Sequence, residues 1–232
     1  MEAYAQWKGW EESGFGRFSE CEARYYRWHV NRAIAGGAPR RVLEIGFGNG
    51  SFLGYGRTRG WEMTGIEISP ELRARAERAG FSVAADIDSL AGQAPFDLLV
   101  LFDVLEHVEA DQLIAFMHKL RALITTDGVI LLRVPNGDSP FGGRHQHGDL
   151  THRVMIGEIM LQQVAAACDL RVTSTGESNW RAQQHEPPSL RAWWRYRLRK
   201  FFNRALGFAY YGGTVDLSSN LVAVLRPLRA PG

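Results

Sequence analysis

Residues 41–53 read RVLEIGFGNGSFL, an apolar run that opens into three alternate glycines and then becomes apolar again. A short apolar run of this kind predicts a buried strand, and the residues from Gly50 onward predict the start of a helix. Glycines between a parallel strand and a helix let a ligand approach the backbone closely. The stretch therefore predicts a ligand site at the carboxyl end of the first strand of an α/β sheet.

Beyond this stretch, apolar runs alternate with amphipathic segments. Strands that alternate with helices predict βαβ units and a mostly parallel sheet. The predicted strands are 41–45, 62–67, 81–84, 96–102, 128–134, 169–176 and 217–226. The predicted helices are 20–36, 50–58, 70–79, 109–123 and 155–167. The capping-box pair Ser19 and Glu22 marks the start of the first helix, and Ser69 followed by Pro70 marks the third.

The composition fits one domain with additions at its ends. The chain has 232 residues, of which 45% are hydrophobic, and this is enough for a sizeable core. There is no basic start followed by an apolar stretch, and no uncharged run is long enough to span a bilayer. Cys21 and Cys168 show no metal-type or disulfide spacing. We therefore expect a cytoplasmic protein, and the inner face of the membrane is an alternative location.

The spacing of the glycines excludes two common phosphate-binding motifs. A dinucleotide fingerprint would need a glycine at position 51, where the chain has Ser51. The GK[ST] ending of a P-loop is also missing, so a nucleoside triphosphate is not favoured. The spacing that fits is an acid followed by three alternate glycines: Glu44, Gly46, Gly48 and Gly50.

From these residues onward, roughly over 40–177, the chain resembles the class I S-adenosylmethionine-dependent methyltransferases. Glu67 falls at the end of the second predicted strand, and Asp86 follows the third in VAADID. The segments FDLLVLFDVLEHV (96–108) and ITTDGVILLRVPN (124–136) look like the fourth and fifth strands of that family. The resemblance implies a Rossmann-like, doubly wound, mostly parallel seven-stranded sheet with helices on both faces and an antiparallel last strand.

The resemblance also implies the cofactor, S-adenosyl-L-methionine, and the residues that bind it. Glu44 and the three glycines would contact its methionine part, which carries no phosphate. Glu67, with Ile68 beside it, would accept the two ribose hydroxyls. Asp86 would meet the adenine amino group and Ile87 the adenine ring, and we expect Phe102 to line the same site.

Titratable residues cluster after the fourth strand and in the loop 135–153. Methyl transfer is an in-line displacement, and a neutral hydroxyl acceptor must also lose a proton. The loop has nineteen residues, which is long for a connection within a domain and favours a function. The candidates are Asp103, Glu106 and His107, followed by His145, His147, Asp149 and His152.

Three interpretations of these residues stay open. In the favoured one, His152 or His147 is the general base, and His107 and Asp103 are further catalytic candidates. In the second, Glu106 and His107 join a loop histidine around a divalent metal that acidifies the hydroxyl. Their acidic-x-x-Glu-His pattern resembles quinone-type and small-RNA 2′-O-methyltransferases. In the third, these residues only line the loop or the cofactor. A divalent metal is thus an alternative that we do not favour, and we assign no metal ligand.

The acceptor is suggested by a looser resemblance. HGDLTHR (147–153), CDLRVTSTGE (168–177) and VDLSSNLVAVLRP (215–227) look like a subgroup found in bacterial cell-surface polysaccharide and sugar pathways. RVMIGEIML (153–161) departs from that subgroup. We expect O-methylation of a sugar, a glycan or a lipid-linked saccharide. The alternatives are a metal-assisted quinone-type or RNA 2′-O-methyltransferase, and a cofactor-binding module without catalysis.

The two ends of the chain differ from its centre. Residues 1–37 are rich in aromatic side chains and predict a lid or flank, which leaves 38–232 as the methyltransferase domain. Residues 189–232 carry eight Lys or Arg and one acid. Within a helical insertion at about 188–212, residues 190–206 place apolar side chains on one side and cations on the other. This helix predicts contact with an anionic membrane, packing on the sheet or on a second subunit, or nucleic-acid binding.

Overall fold

The computed structural model describes residues 14–35, 37–93, 95–176 and 179–228. Part of the predicted N-terminal flank, including Tyr4, Trp7 and Trp10, lies outside the described residues.

Seven strands form one sheet. They are β1 (Arg41–Ile45), β2 (Glu62–Ile66), β3 (Ser82–Ala84), β4 (Phe96–Phe102), β5 (Ile124–Pro135), β6 (Leu170–Thr175) and β7 (Asn220–Pro227). Their order is β3-β2-β1-β4-β5-β7-β6. The pairs among β1 to β5 are parallel, whereas β7 is antiparallel to both β5 and β6. This arrangement confirms the predicted Rossmann-like sheet and its antiparallel last strand.

The α-helices among the described residues are α1 (Glu20–Ala33), α2 (Ser51–Thr58), α3 (Pro70–Arg78), α4 (Leu113–Leu123), α5 (Gly143–Gln146), α6 (Glu158–Ala167) and α7 (Leu190–Tyr211). The capping box of Ser19 and Glu22 begins α1, and the Ser69 side chain caps α3. Helix α1 ends before the predicted residue 36, because Ala35 takes a left-handed φ of 51°. The short helix α5 lies inside the segment that was predicted to be a continuous loop.

The sheet has helices on both faces, as predicted. Successive strand residues point to opposite sides, so Val42 and Leu98 pack with α1, α2 and α3, whereas Leu43 and Leu99 pack with α4 and α6. Because β1 to β4 are parallel, their carboxyl ends meet at one edge of the sheet. The turns that carry the predicted site residues all begin at this edge.

Among the described residues, no helix combines the length and the apolar character that crossing a bilayer requires.

Candidate active site

The glycine turn after β1 needs glycine for two reasons. Gly46, Gly48 and Gly50 have φ values of 68°, 52° and 71°, in the left-handed region that other residues rarely adopt. In addition, a Cβ atom on Gly46 would lie 2.6 Å from the Cγ2 atom of Val104, in the turn after β4. The turns after the two neighbouring strands are therefore in direct contact.

Glu67 holds the glycine turn from the adjacent strand end. Its carboxylate accepts hydrogen bonds from the backbone N–H of Gly48 at 3.1 Å and of Ser69 at 3.0 Å. The side chain is largely buried, and each carboxylate oxygen keeps a further lone pair. Glu67 is thus placed to accept hydroxyl donors from a ligand that lies against the turn.

Glu44 is a buried carboxylate with an unsatisfied atom. The residue is 5% exposed, and burial raises the pKa of its carboxyl group well above the ordinary value. Within the described part of the chain, its Oε2 atom has no hydrogen-bond partner. A buried acceptor without a donor is costly, so Glu44 suits a ligand that brings an amino or ammonium group.

The other predicted cofactor residues also lie along the carboxyl edge. Asp86 follows β3, is exposed, and accepts hydrogen bonds from the Ser89 backbone N–H and hydroxyl, which lower the pKa of the Asp86 carboxyl group. Ile87 is half-buried beside the core, and Ile68 is exposed next to Glu67. Phe102 ends β4, and its ring stacks on Tyr26 with the centroids 5.8 Å apart.

Asp103 has a partner that the sequence did not suggest. Arg133, from β5, donates to both oxygens of Asp103, with Nε 2.8 Å from Oδ1, and also donates to the Tyr25 hydroxyl and to Gln184. Burial by itself would lower the pKa of Arg133, but the charges of Asp103 and Tyr25 and the hydrogen bonds to both together outweigh burial and raise that pKa above the ordinary value. A single Arg inside the apolar run GVILLRVP was the available signal for this contact.

Asp103, Glu106 and His107 do not lie on one face of a helix. Asp103 takes a left-handed φ of 58°, and only a short 3-10 turn, Leu105–His107, follows. This backbone conformation separates Asp103, which binds Arg133, from Glu106 and His107. The structure therefore does not bring Asp103 into the histidine cluster.

Glu106 and His107, in this turn, come together with His152 from the loop. Their potential ligand atoms all lie within 4.8 Å of one another, and Glu106 is 1% exposed. The His152 Nε2 atom lies 3.9 Å from Glu106 Oε1, and the two imidazole centroids are 4.6 Å apart. The Glu106 backbone carbonyl accepts from the N–H groups of Arg153 and Val154, which fixes the end of the loop beside the turn.

Backbone carbonyls orient both rings of this cluster. The Nδ1 atom of His152 lies 2.9 Å from the Gln146 carbonyl oxygen, and that of His107 lies 3.3 Å from the Thr151 carbonyl oxygen. Since a carbonyl can only accept, both Nδ1 atoms carry the proton. In each neutral ring the lone pair is then on Nε2. The cluster can take up a proton, or it can bind a divalent metal with one carboxylate and two imidazoles.

The remaining loop histidines lie outside this cluster. His147 is exposed at the end of α5, and His145 is exposed within that helix. Of the loop candidates, the structure therefore places only His152 beside Glu106 and His107.

The sequence of residues 18–205 matches a family described as "Methyltransferase domain". No curated protein sequence matches this chain. Its fold is similar to that of a SAM-dependent methyltransferase from Archaeoglobus fulgidus, with 18% identity, a TM-score of 0.61 and coverage of 88% of this chain and 91% of that chain.

Two further solved structures are similar. A TehB-like SAM-dependent methyltransferase from Corynebacterium glutamicum shares 21% identity, with a TM-score of 0.59 and 97% of each chain covered. The 1,6-didemethyltoxoflavin-N1-methyltransferase of Burkholderia thailandensis, solved with bound 1,6-didemethyltoxoflavin and S-adenosylhomocysteine, shares 17% identity and a TM-score of 0.59, with 98% of this chain and 83% of that chain covered.

The glycine turn, the unsatisfied Glu44 carboxylate and the carboxylates at the next two strand ends fit the amino-acid, ribose and adenine parts of S-adenosylmethionine. The family match covers well over half of the chain, including α1 and the sheet as far as β6. The chain belongs to the methyltransferase-domain family and is a class I methyltransferase that uses S-adenosylmethionine.

Proposed function

We propose that this enzyme methylates a hydroxyl group of a sugar, a glycan or a lipid-linked saccharide, with His152 as the general base. The observation that carries the proposal is the pair of oriented imidazoles beside the buried Glu106 carboxylate. An amine acceptor attacks through its own lone pair, whereas a hydroxyl gains most from a base that removes its proton. A cluster of this kind therefore suits an oxygen acceptor.

In the proposed reaction, the residues at the carboxyl edge of the sheet have different roles. Bound S-adenosylmethionine supplies an electrophilic methyl group on its sulfonium. Gly46, Glu44 and Glu67 hold the donor against the edge of the sheet. His152 accepts the hydroxyl proton on Nε2, and the neighbouring Glu106 carboxylate stabilises the imidazolium that forms. The contact between Gly46 and Val104 links the donor turn to the turn that carries Glu106.

A saccharide acceptor is supported by the loop sequence. The stretch HGDLTHR supplies His152 and also Thr151, whose hydroxyl lies 3.0 Å from His107 Nδ1 and donates to Asp149. This stretch resembles enzymes of polysaccharide and sugar pathways, and the same residues position the histidine cluster. An acceptor carried on a lipid would place the reaction at the inner face of the membrane.

The acceptor class can be tested by methyl labelling. Purified enzyme is given S-adenosylmethionine with a labelled methyl group and cell extracts fractionated into glycolipid, quinone, small-RNA and soluble metabolite pools. We expect label in the glycolipid pool, as an ether that survives mild alkali. His152→Asn serves as the matched control, and label in the quinone or RNA pool would overturn the assignment.

A metal-assisted reaction is the second candidate, and the same cluster favours it. Glu106, His107 and His152 offer one carboxylate and two imidazoles, a donor set that suits a divalent transition metal. Hydrogen bonds from each Nδ1 to a backbone carbonyl are also typical of metal-binding histidines. Sensitivity of the transfer to EDTA, restored by one divalent ion, would favour this candidate over the metal-free base.

A further inference from the structure

Helix α7 exposes many of its large apolar side chains, and five of them lie along one side of the helix. Trp194, Leu198 and Phe201 are 60%, 56% and 62% exposed, and Leu190 and Phe208 are also well exposed. At about 100° per residue these five residues share one side of the helix. We call them the α7 stripe.

The opposite side of α7 rests on the protein through small residues. On this helix only Ala192 and Gly207 are buried. A Cβ atom on Gly207 would lie 2.3 Å from the Gly213 carbonyl oxygen, so the helix packs closely on the segment that follows it. An ordinary helix of a folded domain buries its large apolar side chains, whereas α7 exposes them. The predicted alternative in which the aromatic side packs on the sheet is therefore wrong for the stripe.

The charge of α7 has one sign. Between residues 190 and 211 there are six Lys or Arg and no acid. Arg191 and Arg195 lie along one margin of the stripe, and Arg197 and Arg204 lie along the other, all four exposed. An apolar stripe bordered by cations is typical of a helix that lies in a membrane surface.

The segment before α7 connects the helix to the edge of the sheet that carries the active site. The Gln184 side-chain oxygen accepts a hydrogen bond from Arg133 at 2.6 Å, and Arg133 binds Asp103 at the end of β4. Two residues later, Glu186 pairs with Arg195 of α7 at 2.9 Å. Three side-chain contacts thus join α7 to the active-site edge.

We propose that α7 binds the surface of an anionic membrane, with the stripe in the boundary between headgroups and acyl chains and the marginal arginines on lipid phosphates. Two α7 helices packed on each other would bring their cations together, so charge disfavours a second copy as the occupant. Nucleic acid would engage the cations but leave the α7 stripe in water. The proposal concerns binding alone and does not depend on the identity of the methyl acceptor.

Vesicle flotation of the full chain tests this proposal. The probes are phosphatidylcholine vesicles and phosphatidylcholine vesicles that also contain phosphatidylglycerol. We expect the wild-type protein to float with the anionic vesicles at low salt and to be released as salt rises. Leu198→Ser combined with Phe201→Ser should weaken this binding roughly tenfold or more. Arg191→Gln combined with Arg204→Gln should weaken it about 25-fold.

Matched variants keep the test specific. Ile114 and Ile159 are exposed apolar residues on α4 and α6, and Arg59 and Arg171 are exposed cations elsewhere on the protein. Ile114→Ser with Ile159→Ser, and Arg59→Gln with Arg171→Gln, should leave flotation unchanged. Circular dichroism of all variants shows whether the helix and the domain stay folded.

Three outcomes would overturn the proposal. One is a wild-type protein that does not float with anionic vesicles at low salt. Another is a wild-type dimer in light scattering that becomes a monomer in the Leu198→Ser, Phe201→Ser variant, without vesicle binding. The third is tight RNA binding that depends on the arginines and not on the stripe. Since flotation needs no methyl transfer, its failure leaves the proposed activity untouched.

Discussion

The Nε2 atom of His152 lies 3.9 Å from Oε1 of Glu106, and Glu106 belongs to the turn after β4 whose Val104 lies against Gly46. The relationship joins a loop residue to a residue of the turn after β4. In the proposed reaction, this carboxylate would stabilise the imidazole once it has taken the proton of the acceptor. The glycine turn and the proposed base would then lie at the same edge of the sheet.

Glu67→Ala should remove most of the affinity for the donor. The carboxylate holds Gly48 and Ser69 and is placed to accept the ribose hydroxyls, so its loss should cost about 1.5–3 kcal/mol of binding, or roughly ten- to a hundredfold. Isothermal titration with S-adenosylhomocysteine measures the change. Glu71→Ala, at an exposed position on α3, is the control and should bind like the wild type. Unchanged affinity in Glu67→Ala would refute the assignment.

Gly46→Ala should damage the donor site more than it damages the fold. The added Cβ atom combines a left-handed φ with a clash against Val104. Gly60→Ala is a matched control, because Gly60 has a φ of 76° but no atom within 4 Å of the added Cβ. Both variants should lose about 1 kcal/mol of stability from backbone strain. Only Gly46→Ala should also lose donor affinity, as measured by titration. Equal affinities of the two variants would contradict a close approach of the donor to Gly46.

Asp103→Asn should destabilise the protein through Arg133. The guanidinium is buried, and the substitution leaves its charge without the carboxylate that neutralises it. Because Asp103 is half-exposed, we expect a loss of roughly 2 kcal/mol, less than for a fully buried pair. Urea denaturation measures the change. The double variant Asp103→Asn, Arg133→Met should recover part of the loss, and an additive or larger loss would contradict this explanation.

The strand ends were readable from the sequence, and the contacts between distant segments were not. Glu44 lies near the end of the first apolar run, and Glu67 and Asp86 come after the next two, so the parallel sheet alone places them at one edge. Asp103 also follows such a run, but its fate depends on Arg133, thirty residues away, and on a left-handed backbone that few non-glycine residues adopt. Local pattern carries no information about either feature.

The composition of the histidine cluster and the orientation of α7 also could not be predicted from the local sequence pattern. Seven histidines were visible, but only the backbone pairing of Arg153 and Val154 with Glu106 selects His152 over His147. The amphipathic pattern of α7 was also visible. Periodicity shows that a helix has two sides, but it does not show which side faces the domain.

His29 should make stability depend on pH. The residue is fully buried on α1, both ring nitrogens are without a hydrogen-bond partner in the described chain, and burial lowers its pKa from 6.5 to about 3. Below pH 6.5 the unfolded chain therefore binds a proton at His29, whereas the folded protein keeps this ring neutral down to about pH 3. The stability that a neutral His29 contributes is complete above pH 6.5 and is lost as the pH falls toward 3.

Comparison with His29→Phe isolates this contribution. Between about pH 7.5 and pH 5, the wild type should lose about 2 kcal/mol more unfolding free energy than the variant does. Urea denaturation at the two pH values gives both slopes. Equal slopes for the two proteins would show that His29 is not buried in its neutral form.

The most direct test of the general base is single-turnover methyl transfer to the acceptor identified by labelling, with His152→Ala and His147→Ala compared in the presence of EDTA. The wild type and His147→Ala should transfer at similar rates with EDTA present. His152→Ala should bind S-adenosylhomocysteine normally and transfer about 10²- to 10⁴-fold more slowly. Full activity of His152→Ala, or loss of wild-type activity on chelation, would contradict the account.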